Sequence, residues 1–168
     1  TMTRIQFTPG RPRKEMTLLT KDDLYLFNEG THFHLYEKLG AHPLESEGTR
    51  GTHFAVWAPN AEHVSVIGTF NNWQRGAHVL SPVKASGIWQ GFLPGVDKGA
   101  LYKFHIRARG GHYEVDKTDP FAFFNEIPPK TASIVWDLSY TWRDQSWMER
   151  RSSQNSLNAP LSIYEMHL

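Results

Sequence analysis

Residues 101–108 read LYKFHIRA, and this octet decides the fold. Tyr102, Phe104 and Ile106 alternate with Lys103, His105 and Arg107, a period of two that turns one set of side chains toward a core and the other toward water. Upstream, EHVSVIGT at 62–69 and THFAVWA at 52–58 have the same β-rich composition. HVLSPV at 78–83, IWQGFL at 88–93, the short piece His112–Val115 and ASIVW at 132–136 extend the series at spacings of roughly 8–12 residues. Pro59-Asn60, Asn71-Asn72, Gly95, Gly110-Gly111 and Asp119-Pro120 supply turn chemistry between the runs. The pattern predicts an all-β sandwich of about seven strands over residues 52–137, with Trp57, Trp89 and Trp136 in its core.

Outward from that block, residues 1–23 read as a flexible polar tail and residues 24–51 as an N-terminal extension packed on the sandwich. A short helical turn is expected near Leu35–Leu39, stopped by Gly40, His42 and Pro43. Residues 138–160 read as a linker holding Trp142 and Trp147, both expected at a boundary with a following domain. The last stretch, LSIYEMHL at 161–168, reads as one strand with no partner. A lone strand leaves its backbone groups unpaired, so the chain is expected to be cut inside a larger protein.

Composition narrows the functional classes. The 168 residues are 39% hydrophobic and 21% charged, with a formal net charge of +1, which gives no chain-wide field for phosphates. The basic cluster Arg11, Arg13 and Lys14 has no aromatic interleaving and reads as a solvated tail. No apolar run approaches the ~18 residues of a membrane span. Neither nucleic acid nor membrane is an expected partner. With no cysteine there is no disulfide framework or thiolate zinc site, and no secretory leader opens the chain, so cytoplasm is the expected compartment. Six Trp within 13% aromatics are the one excess, and flat indoles suit sugar rings or other domains.

Two clusters invite chemistry and are set aside. His32, His34 and His42 have no carboxylate at ligand spacing, so no metal and no cofactor are expected. Asp116 and Asp119 are a close carboxylate pair, but VDKTDP reads as a turn, and no catalytic residue is expected. In GTFNNWQ at 68–74, Gly68 and Asn71-Asn72 make a tight turn that either presents Trp73 as a platform or packs it inward as a corner. Lys103 reads as a rim charge on the wet face of its strand.

The runs SVIGTFNNWQ (65–74), GIWQGFLPG (87–95), ALYKFHI (100–106), TDPFAF (118–123) and KTASIVW (130–136) resemble the glycogen-binding module that precedes the catalytic domain in branching and debranching enzymes. The same module recurs in the β subunit of AMP-activated kinase. With EGTHFHLYEKLGAHP, FAVWAPNAEHVSVIG and SIYEMHL added, the chain is most similar to the N-terminal region of bacterial 1,4-α-glucan branching enzymes of the α-amylase superfamily. The resemblance implies an immunoglobulin-like sandwich that binds α-glucan through Trp73, Asn72, Lys103 and Tyr113. The kinase-subunit form has a second Trp near His112-Tyr113 and an Asn near Ser133, residues this sequence lacks. It further implies that SIYEMHL is the first strand of a (β/α)8 catalytic barrel. The partners implied are glycogen or α-1,4-glucan and that barrel. The whole enzyme would cut α-1,4 chains and rejoin them as α-1,6 branches with retained configuration. A free-standing glycogen-binding regulatory module, or the front domain of a debranching or trehalose-releasing relative, is the alternative.

Overall fold

The computed structural model describes residues 16–111, 113–154, 158, 160 and 162–167. The chain divides into two compact units between Asp137 and Leu138.

The first unit begins with helix α1 (Lys21–Glu29) and a single 3-10 turn (Leu35–Glu37). The strands follow: β1 (Gly40–Ser46), β2 (Thr49–Trp57), β3 (Ala61–Gly68), β4 (Ser81–Pro82), β5 (Ile88–Pro94), β6 (Leu101–Ala108), β7 (Glu114–Lys117), β8 (Phe124–Asn125) and β9 (Ser133–Ile134). One sheet runs β1-β2-β5-β4 and the other β3-β6-β9-β8, with β7 also paired to β6. Inward side chains of both sheets form the main core: Phe54, Val56 and Leu93 meet Val64, Val66, Tyr102 and Phe104. Phe54 stands edge-on to Tyr102 with ring centroids 5.1 Å apart. The all-β sandwich expected from the spacing is the fold.

The first sheet is buried on its other face too. Leu19, Leu39, Ala55 and Ile88 form a second cluster with Leu24 and Phe27 of α1 packed against it. This is why β2 is buried continuously from Gly51 to Val56 instead of alternating.

Several expectations need correction. The polar tail does not extend to residue 23: Leu19 is buried, Thr20 caps α1 through a reciprocal box with Asp23, and Gly30 closes the helix in the left-handed region. Gly40, His42 and Pro43 do end the helical turn, but they also begin β1, a strand at the sheet edge, where a proline's missing N–H costs no ladder bond. The run at 78–83 reduces to β4 and an isolated bridge between Val79 and Ser65, and the run at 132–136 to the two residues of β9. Strand β7 starts at Glu114, and His112 lies outside the described residues. Asp116 is a strand residue of β7, not part of a turn.

Two side chains reverse their expected environment. Trp57 is 55% exposed, because it is the last residue of β2 on the face opposite the main core. His105, expected on the wet face, is buried: its Nδ1 lies 2.8 Å from Asp116 Oδ1, and the loop at Gly76 folds back to bond Ser65, its cross-strand neighbour. Trp89 is half-buried against the main core with Nε1 donating to the Ala58 carbonyl. Trp136 is also half-buried, its ring tilted against Phe124 and under the Lys98 ammonium.

In the second unit, the expected linker contains helix α2 (Gln145–Gln154), with Trp142 and Trp147 exposed. Described residues 162–167 form no strand, since no neighbouring strand offers a ladder. Arg11, Arg13, Lys14, Leu161 and Leu168 lie outside the described residues.

Candidate functional site

The turn after β3 is built by Gly68 and Asn71. A Cβ at Gly68 would sit 2.2 Å from the Leu101 carbonyl oxygen and 2.6 Å from the Phe70 ring, so only glycine lets the chain leave β3 against β6 here. Asn71 Oδ1 accepts from the Gly68 N–H, while Asn71 Nδ2 donates to the Val66 carbonyl and to His78 Nδ1. One amide thus clips both ends of the loop between Gly68 and Val79. Phe70 packs edge-on to His78 inside it.

Beyond that clip, Asn72 and Trp73 take φ of 52° and 58° in succession. Asn tolerates the left-handed region, but a bulky aromatic there is an outlier. Trp73 N–H donates to the Gly68 carbonyl, and the side chain stays 39% exposed. The indole is held outward, not in the corner of the core. Arg75 then crosses to Asp116 on β7 at 2.8 Å. Partial burial alone would raise the Asp116 carboxyl, yet the bonds from Arg75 and His105 hold it below its ordinary value.

Lys103 pairs with Ile67 one step along β6 from the Gly68–Tyr102 pair, at the root of the Trp73 turn. Its ammonium donates to Thr131 Oγ1 at 2.7 Å. Tyr113 is 58% exposed, and its carbonyl accepts from the Ala108 N–H at the far end of β6. Five residues of extended chain separate Ala108 from Lys103, about 17 Å. The Trp73 turn and Lys103, whose ammonium is turned to Thr131, therefore lie toward one end of β6 and Tyr113 toward the other. Ser133 is fully buried between Asp119 N–H and Asn125 Oδ1 and faces no open site.

The residues set aside in the sequence are each accounted for. Asp119 is buried, accepts from the Tyr102 hydroxyl and the Phe121 N–H, and has its pKa pushed up to about 6, chiefly by burial. It does not face Asp116, which lies on the outer side of β7. His32 bonds Asp23, His34 lies against Tyr36 and Glu37, and His42 meets the Leu39 carbonyl. Asp23 is the carboxylate that ligand spacing missed, nine residues before His32.

The family model of carbohydrate-binding module 48 (isoamylase N-terminal domain) matches this sandwich over residues 38–122. The chain belongs to that family. It is 51% identical over 159 residues to the 1,4-alpha-glucan branching enzyme of Synechococcus sp. (strain JA-3-3Ab), and 52% over 158 residues to that of Rubrobacter xylanophilus. These alignments cover 94% of this chain but 20% and 22% of the relatives, so the module-48 chain spans about a fifth of their length. Klebsiella pneumoniae pullulanase complexed with maltotriose shares the fold at a TM-score of 0.51 and 26% identity, over 71% of this chain and 11% of that one. Among the described residues no helix is long and apolar enough to cross a membrane.

Proposed function

We propose that this module-48 chain is the non-catalytic α-glucan-binding region of a glycogen branching enzyme acting in the cytoplasm. Identity near one half to branching enzymes, against 26% to the pullulanase, favours branching over debranching for the whole protein. In this reading the whole enzyme transfers α-1,4 segments to α-1,6 positions in a barrel following this chain, and Leu138–Leu168 leads toward it.

One observation carries the sugar-binding part. Trp73 is kept exposed on a backbone conformation that its side chain disfavours, while Asn71 spends its amide holding the turn shut. Such an outlier persists only where the surroundings over-determine it, and binding sites are where that happens. The indole face stacks on the C–H face of glucose, the Asn72 amide and Lys103 ammonium reach hydroxyls, and Tyr113 offers a separate contact farther along β6. One stack and three or four hydrogen bonds on an open surface give about 4–6 kcal/mol, near millimolar to high-micromolar affinity. Repeated sites on a polymer raise that by avidity.

Affinity electrophoresis in gels with and without glycogen tests the reading. Retardation by glycogen is expected; unretarded migration of folded protein would refute it.

A further inference from the structure

We infer that the outer side of the first sheet carries a second α-glucan contact, centred on Trp57 and the groove between α1 and the β4–β5 turn; this rests on the glucan-binding reading above. Trp57 closes β2 with its indole 55% exposed and edge-on to Phe27 of α1, ring centroids 6.0 Å apart. Gly87, at φ 76°, lets the turn pass under it: a Cβ there would lie 3.0 Å from Trp57 Nε1 and 2.8 Å from Pro59. The indole is thus seated against the turn and still open to solvent.

From that turn a groove of about 420 Å³ runs along α1. Tyr25, 65% exposed, forms one wall. Asn28, Lys21, Lys84 and Ser86 ring it. Among the described residues, the side chains of Tyr25, Asn28, Lys21 and Lys84 take part in no hydrogen bond or ion pair, whereas the Ser86 hydroxyl is taken by the Val83 carbonyl. Lys84, in the β4–β5 turn, stands at φ 50°, one of four non-glycine residues with positive φ among the described residues, with Glu47, Asn72 and Trp73.

Flat aromatic rings flanking free amide, hydroxyl and ammonium donors match the alternating C–H faces and hydroxyls of a linear α-1,4-glucan. A protein partner would have to bring carboxylates against Lys21 and Lys84 at an interface core, where charge is depleted, whereas a neutral glucan meets the same ammonium groups with its hydroxyls. Trp57 lies on the first sheet and Trp73 beyond the second, so one chain would hold a glucan at two separate places.

Indole ¹⁵N–¹H resonances, assigned by Trp57→Phe and Trp73→Phe, report the two places independently during titration with maltoheptaose. The Trp57 signal is expected to move in the unaltered protein and to move still in Trp73→Ala. Asn28→Ala should reduce its apparent affinity about threefold while leaving the Trp73 titration unchanged. A Trp57 signal that stays still while Trp73 moves would overturn the second contact alone. If neither moves, the glucan-binding reading fails with it. A Trp57 signal that ignores maltoheptaose but shifts on adding a following catalytic domain would make this face a docking surface and overturn the proposal.

Discussion

Arg75 Nη2 lies 2.8 Å from Asp116 Oδ2, which ties the loop carrying Trp73 to β7 across the outer face of the second sheet. Asp116 in turn accepts from His105 on β6, so loop, central strand and hairpin strand share one carboxylate. The pair is solvent-exposed and screened by salt, so its contribution is to placement of the loop more than to folding.

Arg75→Ala is therefore expected to weaken retardation by glycogen about two- to fivefold at low salt, with almost no change in Tm. High salt should shrink the difference between variant and parent. A large fall in Tm instead would show that the pair holds the sandwich itself.

Trp73→Ala and Trp89→Ala separate platform from core. Trp73 is partly exposed, so its removal should abolish most glycogen retardation and leave Tm within a few degrees. Trp89 packs on the main core and donates to the Ala58 carbonyl, so its removal should cost about 3 kcal/mol or more in urea unfolding. Equal destabilisation by the two substitutions would place Trp73 in the core.

The period of two in LYKFHIRA was enough to locate β6 to the residue, because its inward set meets a single core. The same rule failed for β2, whose neighbours α1 and Leu39 cover its second face, and no local pattern reports what a distant segment will cover. Trp57, which reads as core, ends β2 on that second face, where Phe27 of α1 meets the indole edge-on and leaves it 55% exposed. Helix α1 did carry its signal, Thr20-x-x-Asp23 at the start and Gly30 at the end, masked by the turn-like residues after it. Of the candidate site, the Gly68–Asn72 turn was legible as turn chemistry. The separation of Tyr113 from Lys103 was not, since it depends on where the β6–β7 hairpin closes.

Acid stability should depend on two buried groups of opposite sign. His53 has neither ring nitrogen in a hydrogen bond of good geometry, Gln90 being only a weak polar neighbour, and burial first, then repulsion from His42, lowers its pKa from 6.5 to about 4. The unfolded chain then binds more protons, so this group's contribution is whole above pH 6.5 and lost as pH falls toward 4, by up to about 3 kcal/mol. Asp119, raised from 3.8 to about 6, works the other way: its contribution is present below 3.8 and lost as pH rises through 6. Urea midpoints at pH 7, 5 and 4 should fall less with acid in His53→Leu and more steeply in Asp119→Asn. A His53→Leu slope equal to that of the parent would show that His53 is not the group responsible.

The last expectation is that this chain alone does not branch glucan. Retaining cleavage of a glycosidic bond needs a carboxylate nucleophile and a second carboxyl group as acid and base, roughly 5–5.5 Å apart across an open site. Asp119 has a raised pKa of the kind an acid needs, but it is sealed from solvent with its oxygens bonded to Tyr102 and Phe121. Asp116 is ionised and half-exposed, but it is occupied by Arg75 and His105 on the outer face of the sheet. A sugar cannot lie between the two. Incubation with amylose should therefore leave the iodine-complex absorbance unchanged and yield no α-1,6 linkages. Branching by the chain itself, abolished by Asp116→Asn or Asp119→Asn with Tm retained, would overturn the reading of the sandwich as non-catalytic and place a paired-carboxylate site at β7 and the turn after it.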